Sequence, residues 1–251
     1  MNSVIICEGA TDSILLYYYM QKVYGWSDAP QNIFPPTNTN KLQNLMRGQD
    51  ILTIMPSGGS SHIIETFENV LKRNWNTPPA PITAISKIVI IRDNDEPKTL
   101  NKILDEINNK LTVYNSTPTK PIINNDWTQI SMNSKIGTQL NFELLLMVIP
   151  FEENGAMETC LLNAIGDADE YDKQIIKDGN AFVENADPAG KYLIKERYKT
   201  KAKFHVYFCI RGPIEQSTRS QQILMNVHWE QYPKLQKDFK LLGELGTEAK
   251  S

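Results

Sequence analysis

Short apolar runs alternate with longer amphipathic segments over the first part of the chain. Residues 3–7, 51–55 and 87–92 are runs whose length and Ile/Val content suit strands, and Ile88-Val89-Ile90-Ile91 suits one covered on both faces. Between and after them, apolar residues recur at three- and four-residue spacing. Ile14, Leu15, Tyr18, Tyr19 and Val23 predict a helix over 11–24. Ile63, Ile64, Phe67, Val70 and Leu71 predict one opening near Ser60, and Leu100, Ile103, Leu104, Ile107 and Leu111 a third. Strand, helix, strand in succession is the signature of crossover units in an α/β fold with a mainly parallel sheet and flanking helices. Two further strands are expected at 127–132 and 142–149, with irregular connections at 25–50 and 112–126. From Ala156 onward the pattern is mostly helical, broken near Asp187-Pro188, Arg211-Gly212-Pro213 and Tyr232-Pro233. The expected organisation is an α/β domain over 1–150 and a mostly helical C-terminal extension over 151–251 packed on it.

Composition narrows the class. At 251 residues, 41% hydrophobic and 22% charged, the chain has room for a full core plus a smaller module. No apolar run approaches the roughly 20 residues of a membrane span, and Glu8 interrupts the first apolar run with no basic segment before it, so a cytoplasmic protein is expected. Cys7, Cys160 and Cys209 are far apart and each lies in an apolar stretch, which reads as reduced core cysteine; His62, His205 and His228 are scattered without metal-ligand spacing. A net charge of −3 leaves nucleic-acid contact to a local patch.

Chemistry is expected where strands end, because crossover units bring their carboxyl ends to one sheet edge. The first strand ends at Glu8-Gly9 and the third at Asp93-Asn94-Asp95, with Asp93 and Asp95 on the same side of an extended chain. Carboxylates gathered there repel one another by about 4 kcal/mol at 4 Å and an effective dielectric near 20. A hard divalent cation, Mg2+ or Mn2+, held by carboxylates and water, relieves that repulsion. Helix capping is the other explanation for each segment: Asp at a strand end caps a following helix, Pro97 suits a helix start, and Asp12 lies in a first helical turn.

These segments resemble a known family. Ile5-Ile6-Cys7-Glu8-Gly9-Ala10-Thr11-Asp12 is similar to the first motif of the topoisomerase-primase (TOPRIM) superfamily, and Val89-Ile90-Ile91-Arg92-Asp93-Asn94-Asp95 to the second. Ile54-Met55-Pro56-Ser57-Gly58-Gly59 resembles the strand and Gly turn between them, so the likeness covers residues 3–110. Glu96-Pro97-Lys98 departs from the Gly that often follows the second motif. Gly155-Ala156-Met157-Glu158-Thr159 resembles an acidic stretch of small TOPRIM-like bacterial proteins and of overcoming-lysogenization-defect nucleases, which makes Glu158 a fourth candidate ligand; acids at a helix start explain it equally.

The resemblance implies chemistry at phosphodiester bonds. The chain is too short for topoisomerase gate domains and lacks a primase's zinc module, so metal-dependent cleavage of DNA or RNA, as in bacterial or phage defence, is the expected activity. Asp93 and Asp95 would be ligands and Glu8 a ligand or general base. A non-catalytic module binding a cation with a nucleotide or phosphate is the alternative. Gly9 and Asp12, and the Gly58-Gly59-Ser60 turn, are candidate phosphate contacts. The run Lys191, Lys195, Arg197, Lys199, Lys201 and Lys203, opposed locally by Glu196 alone, either tracks a nucleic-acid backbone or is a solvated helix surface. Lys199 and Lys201 are candidate backbone contacts, and Lys203 is the candidate for stabilising transition-state charge. An activating protein partner and a homodimer through the aromatic first helix are left open.

Overall fold

The computed structural model describes residues 1–30, 42–76, 84–212 and 224–246. Contacts divide the chain into two compact units. One comprises residues 1–92, 98–148 and the chain from 241 onward; the other comprises 93–97 and 149–240. The division near residue 150 expected from the sequence is thus crossed twice, by the short segment after the third predicted strand and by the C-terminal end.

The first unit is α/β. Its strands are β1 (Asn2–Cys7), β2 (Ser27–Asp28), β3 (Gln43–Arg47), β4 (Asp50–Pro56), β5 (Ile85–Asp93), β6 (Ser116–Pro118), β7 (Trp127–Asn133) and β8 (Gln139–Ile149). Its helices are α1 (Ala10–Tyr24), α2 (Ile63–Asn76) and α3 (Thr99–Val113). The sheet order is β2-β3-β4-β1-β5-β8-β7-β6. β1 lies between β4 and β5 and is parallel to both, with Ile6 opposite Met55 and Ile90. The wings are antiparallel, β2-β3-β4 on one side and β8-β7-β6 on the other. The crossover units of the sequence pattern therefore build the parallel centre, while hairpin pairing extends it at both edges.

Alternation along the central strands decides what each helix covers. Val4 and Ile6 of β1 and Ile88 and Ile90 of β5 join a core with Phe67, Val70 and Leu71 of α2 and Ile103, Ile107 and Leu111 of α3. The intervening Ile5, Cys7, Val89 and Ile91 are equally buried, so these strands carry uninterrupted apolar runs. α1 packs beside β3 and β4, burying Leu15, Leu16, Tyr19 and Met20, one position round the helix from the face the sequence suggested. Buried Asn74 at the end of α2 donates Nδ2 to the carbonyl of Ile85 (2.9 Å) and accepts the Ile85 N–H (2.8 Å), pinning α2 to the start of β5.

Two predicted connections hold short strands. β3 falls within the stretch 25–50, where Leu45 is the one fully buried residue of the strand, and β6 within 112–126. Residues 77–83, between α2 and β5, lie outside the described residues, as do Pro213 and the segment after it. The end of the chain returns to the sheet unit: Leu245 O accepts from Arg47 (2.6 Å), and a Cβ on Gly243 would sit 2.7 Å from the Tyr24 ring. Buried Lys87 of β5 spans to the Glu143 carboxylate of β8 (3.1 Å) and the Glu244 carbonyl (3.0 Å), with its ammonium 4.9 Å from the Trp127 ring centre.

The second unit is helical, as the pattern after Ala156 predicts: α4 (Met157–Ala168), α5 (Glu170–Ala186), α6 (Glu196–Arg211) and α7 (Pro233–Asp238). Asp169 caps α5, accepting from the N–H groups of Tyr171 (2.8 Å) and Asp172 (3.1 Å). Cys7 and Cys160 are buried, but Cys209 on α6 is exposed, correcting its reading as a core residue. Among the described residues no helix is long and apolar enough to cross a membrane.

Candidate functional site

The Asp93-Asn94-Asp95 segment is fixed by its middle residue. The Asn94 N–H donates to Ile149 O (2.7 Å) and its carbonyl accepts from Gly155 N (3.0 Å), an antiparallel bridge. Its side-chain amide donates to the carbonyls of Pro150 (3.1 Å) and Glu153 (3.0 Å). Asn94 thereby sews the segment to residues 149–155, just before α4. Asp93 Oδ1 then accepts the N–H of Met157, the first residue of α4, at 3.1 Å. The carboxylate thus lies at the positive end of that helix, where it is stabilised by about 0.3–1 kcal/mol or more. The N-cap position of α3 is Lys98, which makes no side-chain cap bond. Asp95 is exposed.

Glu158 follows Met157 on α4 and is only 4% exposed. Its Oε2 is screened from solvent and takes no hydrogen bond from the described residues. A buried acceptor left so costs about 1–3 kcal/mol, more when charged. Gly155 is needed for the approach: a Cβ there would fall 2.6 Å from Thr159 Oγ1, which accepts the Ala156 N–H (3.1 Å) and closes the turn into α4. The Gly-x-x-Glu spacing therefore has a local reason, with Gly admitting the Thr159 side chain and Glu158 placed one residue beyond the N–H that holds Asp93.

The field around α4 is negative. Burial, reinforced by the Asp238, Asp93 and Glu153 carboxylates, pushes the Cys160 thiol far above its ordinary range. Asp238 on α7 is itself raised, by burial first and then by Glu152. Among the described residues no three His, Cys, Asp or Glu side chains are grouped tightly enough to hold a metal ion. What this unit offers is the Asp93 carboxylate and the undonated Glu158 oxygen. Carboxylate oxygens are the donor type that Mg2+ or Mn2+ takes, with water completing the coordination.

Glu8 directly follows β1 in the sheet unit. Its carbonyl accepts the Gly59 N–H (2.8 Å), and the Cys7 carbonyl accepts the Ser57 N–H (2.8 Å), so the turn after β4 is tied to the end of β1. Gly58 (φ 84°) and Gly59 (φ 133°) occupy conformations that side-chain-bearing residues rarely adopt. The expectation that this turn presents its amides to phosphate is corrected at Gly59, whose N–H is already committed. Gly9 and Asp12 are likewise engaged: Asp12 Oδ2 accepts the Gly9 N–H at 2.8 Å and closes the turn into α1. That hydrogen bond makes them a local cap and not a phosphate contact.

The basic run also reads differently in three dimensions. Lys203 Nζ lies 2.6 Å and Lys199 Nζ 3.1 Å from the Glu184 carboxylate of α5, and Lys199 also pairs with Glu196 at 3.6 Å. The two lysines hold Glu184 below the usual carboxylate range, Lys203 first. Opposition by Glu196 alone is thus corrected, because Glu184 neutralises these lysines from the neighbouring helix. Lys201 is exposed. His62 and His228 lie beside Glu65 (3.5 Å) and Glu230 (3.2 Å), and neither belongs to a metal-binding group among the described residues.

The chain thus combines an α/β unit with a parallel sheet centre and a helical unit in which one oxygen of the buried Glu158 carboxylate has no donor among the described residues. The family model described as "Protein of unknown function (DUF3226)" matches residues 2–242, and the chain belongs to that family. None of the curated proteins matches the sequence. Among solved structures, a hypothetical protein, PH0156, from Pyrococcus horikoshii OT3 is 14% identical, with 94% of this chain and 98% of that chain covered and a TM-score of 0.48. A point mutant of the fosfomycin resistance protein FosX from Listeria monocytogenes is 10% identical over 59% of this chain and 92% of that chain, with a TM-score of 0.18. Both likenesses are too distant to bear on chemistry.

Proposed function

We propose that this chain is a metal-dependent nuclease of TOPRIM type that hydrolyses phosphodiester bonds of DNA or RNA in the cytoplasm, in a bacterial or phage defence setting. The observation that supports it most is the buried Glu158 oxygen without a donor, one residue from the N–H that holds Asp93. A carboxylate in that state is stabilised by a cation and destabilised without one. Asp93, Asp95 and Glu158 are the proposed ligands, and the TOPRIM resemblance adds Glu8 as a further ligand or as general base.

Each residue then has a task. Asp93 is oriented by the Met157 N–H, which fixes the carboxylate that would meet the ion. Glu158, buried at the start of α4, would offer the ion an oxygen that is screened from solvent. As general base, Glu8 would accept the proton of the attacking water as the new P–O bond forms and the bond to the leaving oxygen breaks, the leaving oxygen taking a proton from solvent. A bound Mg2+ or Mn2+ supplies Lewis acidity to the phosphoryl oxygen. Lys203 is left out of this scheme because Glu184 holds it.

The test is cleavage of labelled single- and double-stranded DNA and RNA by purified protein with Mg2+ or Mn2+, beside Glu8→Ala, Asp93→Ala and Glu158→Met variants checked for folding by circular dichroism. Metal-dependent cutting abolished by Glu8→Ala and by Asp93→Ala is expected. Calorimetric cation binding with no turnover on any substrate would leave a non-catalytic binding module. Cutting retained in a Glu8→Ala, Asp93→Ala double variant would reject the assigned site.

A further inference from the structure

The geometry points to a phosphate-ester pocket in the sheet unit, built around Arg92 and Lys102, that holds a backbone phosphate of the nucleic acid on the α2–α3 face of the sheet. This deepens the proposed function and rests on its reading of the substrate as a nucleic acid. A cleft of about 410 Å³ opens at the carboxyl end of β5, lined by Ser60 and Ser61 at the start of the α2 segment, by Arg92, and by Lys102 on α3. Strand alternation places Arg92 on the face of Ile88 and Ile90, opposite in parity to Asp93. The same turn that hydrogen-bonds the Glu8 carbonyl leads directly into Ser60.

The charge inventory of the cleft favours an anion. Glu68 is consumed: it takes Lys110 at 2.6 Å, Lys72 at 3.3 Å and the Tyr114 hydroxyl at 2.9 Å. Glu65 is 72% exposed and directed to His62, so solvent screens it. Glu106 remains as the one further acid on the lining. Against it stand Arg92 and Lys102, neither of which makes an ion pair among the described residues. Arg92 Nε is screened from solvent and donates to no acceptor there. A buried guanidinium N–H without an acceptor is costly, and a phosphate oxygen satisfies it with a fork geometry that guanidinium groups match well. The Ser60 and Ser61 hydroxyls supply neutral donors beside it.

The probes are fluorescent single-stranded DNA and RNA of about 20 nucleotides, read by anisotropy in EDTA so that no cleavage intervenes, over about 50 to 200 mM salt. Arg92→Gln and Lys102→Gln should each weaken binding about 5- to 10-fold and lower the salt slope by about one. Lys120→Gln, which removes a lysine paired with Asp126 elsewhere in the sheet unit, should change neither. Lys102 is exposed, so its variant folds even if Arg92→Gln does not. Displacement of the oligonucleotide by AMP from wild type but not from Lys102→Gln would support the pocket with a free nucleotide as the source of the phosphate. Wild-type affinity and slope in both variants, or no binding of oligonucleotide or AMP, would overturn the pocket. Binding sensitive to Arg92 and Lys102 without any cleavage would keep the pocket and remove the nuclease. Metal-dependent cleavage with binding untouched by both substitutions would do the reverse.

Discussion

Replacing Glu158 with Met should make the metal-free protein more stable and at the same time remove its response to metal. The side chain is 4% exposed and one oxygen has no donor, so in EDTA the wild type carries a polar burial penalty of about 1–3 kcal/mol. Met has nearly the same length and reach and no polar atom, and relieves that penalty without opening a cavity. Taking about 2 kcal/mol, and a shift of about 2–4 °C per kcal/mol for a chain of this size, Tm in EDTA should rise by about 4–8 °C. In wild type, Mg2+ at about 100 times its Kd should add about 2.7 kcal/mol, and Glu158→Met should lose most of that increment. Differential scanning calorimetry of both proteins in EDTA and in MgCl2 gives all four values. A variant less stable than wild type in EDTA, or one with the full metal increment, would refute the assignment of Glu158 as an unpaired ligand waiting for a cation.

Other consequences follow from the sheet unit. Glu143→Gln should cost about 1–3 kcal/mol by urea denaturation, because it leaves the buried Lys87 ammonium without its counter-charge, held by the Glu244 carbonyl and the Trp127 ring alone. Lys87→Met should cost far less than Glu143→Gln, since it removes the charge together with its need for a partner. The Lys110 ammonium, then the Tyr114 hydroxyl, hold the Glu68 carboxyl down at about 2. Its folded value lies below its unfolded one, so the stabilisation is full above about pH 4.5 and lost as pH falls toward about 2. Glu68→Gln should flatten stability across that window by roughly 1 kcal/mol after solvent screening, measured by acid titration of the urea midpoint. Gly59→Ala, at φ 133°, should cost about 1–3 kcal/mol, read by thermal unfolding, and loosen the Glu8 turn.

The parallel centre of the fold was legible because β1, β4 and β5 are apolar runs covered on both sides, and α2 and α3 carry continuous apolar stripes. β3 was not, since Gln43–Arg47 has no β-branched residue and buries only Leu45; its strand character comes from pairing with β4. The return of residues 241–246 to the sheet depends on Lys87 and Arg47 reaching backbone carbonyls, which no periodicity encodes. Within the site, Asp93 was singled out as a strand end and by motif position, and Glu158 by motif position alone. Their connection through Asn94 and the Met157 N–H depends on a backbone bridge between Asn94 and Gly155, a separation that no local pattern reaches. Glu184 was missed as the partner of Lys203 because it lies on another helix. Arg92 was legible and overlooked: its parity with Ile88 and Ile90 marks a cation at the end of a buried strand face.

The proposed nuclease activity requires a divalent cation held by Asp93 and Glu158. Crystals of the full chain soaked in manganese, with data collected above the manganese absorption edge, answer this directly. An anomalous peak in coordination contact with the Asp93 and Glu158 carboxylates is predicted, lost in Glu158→Met crystals grown the same way. A map with no peak at these carboxylates, or manganese bound only elsewhere on the surface, would contradict it.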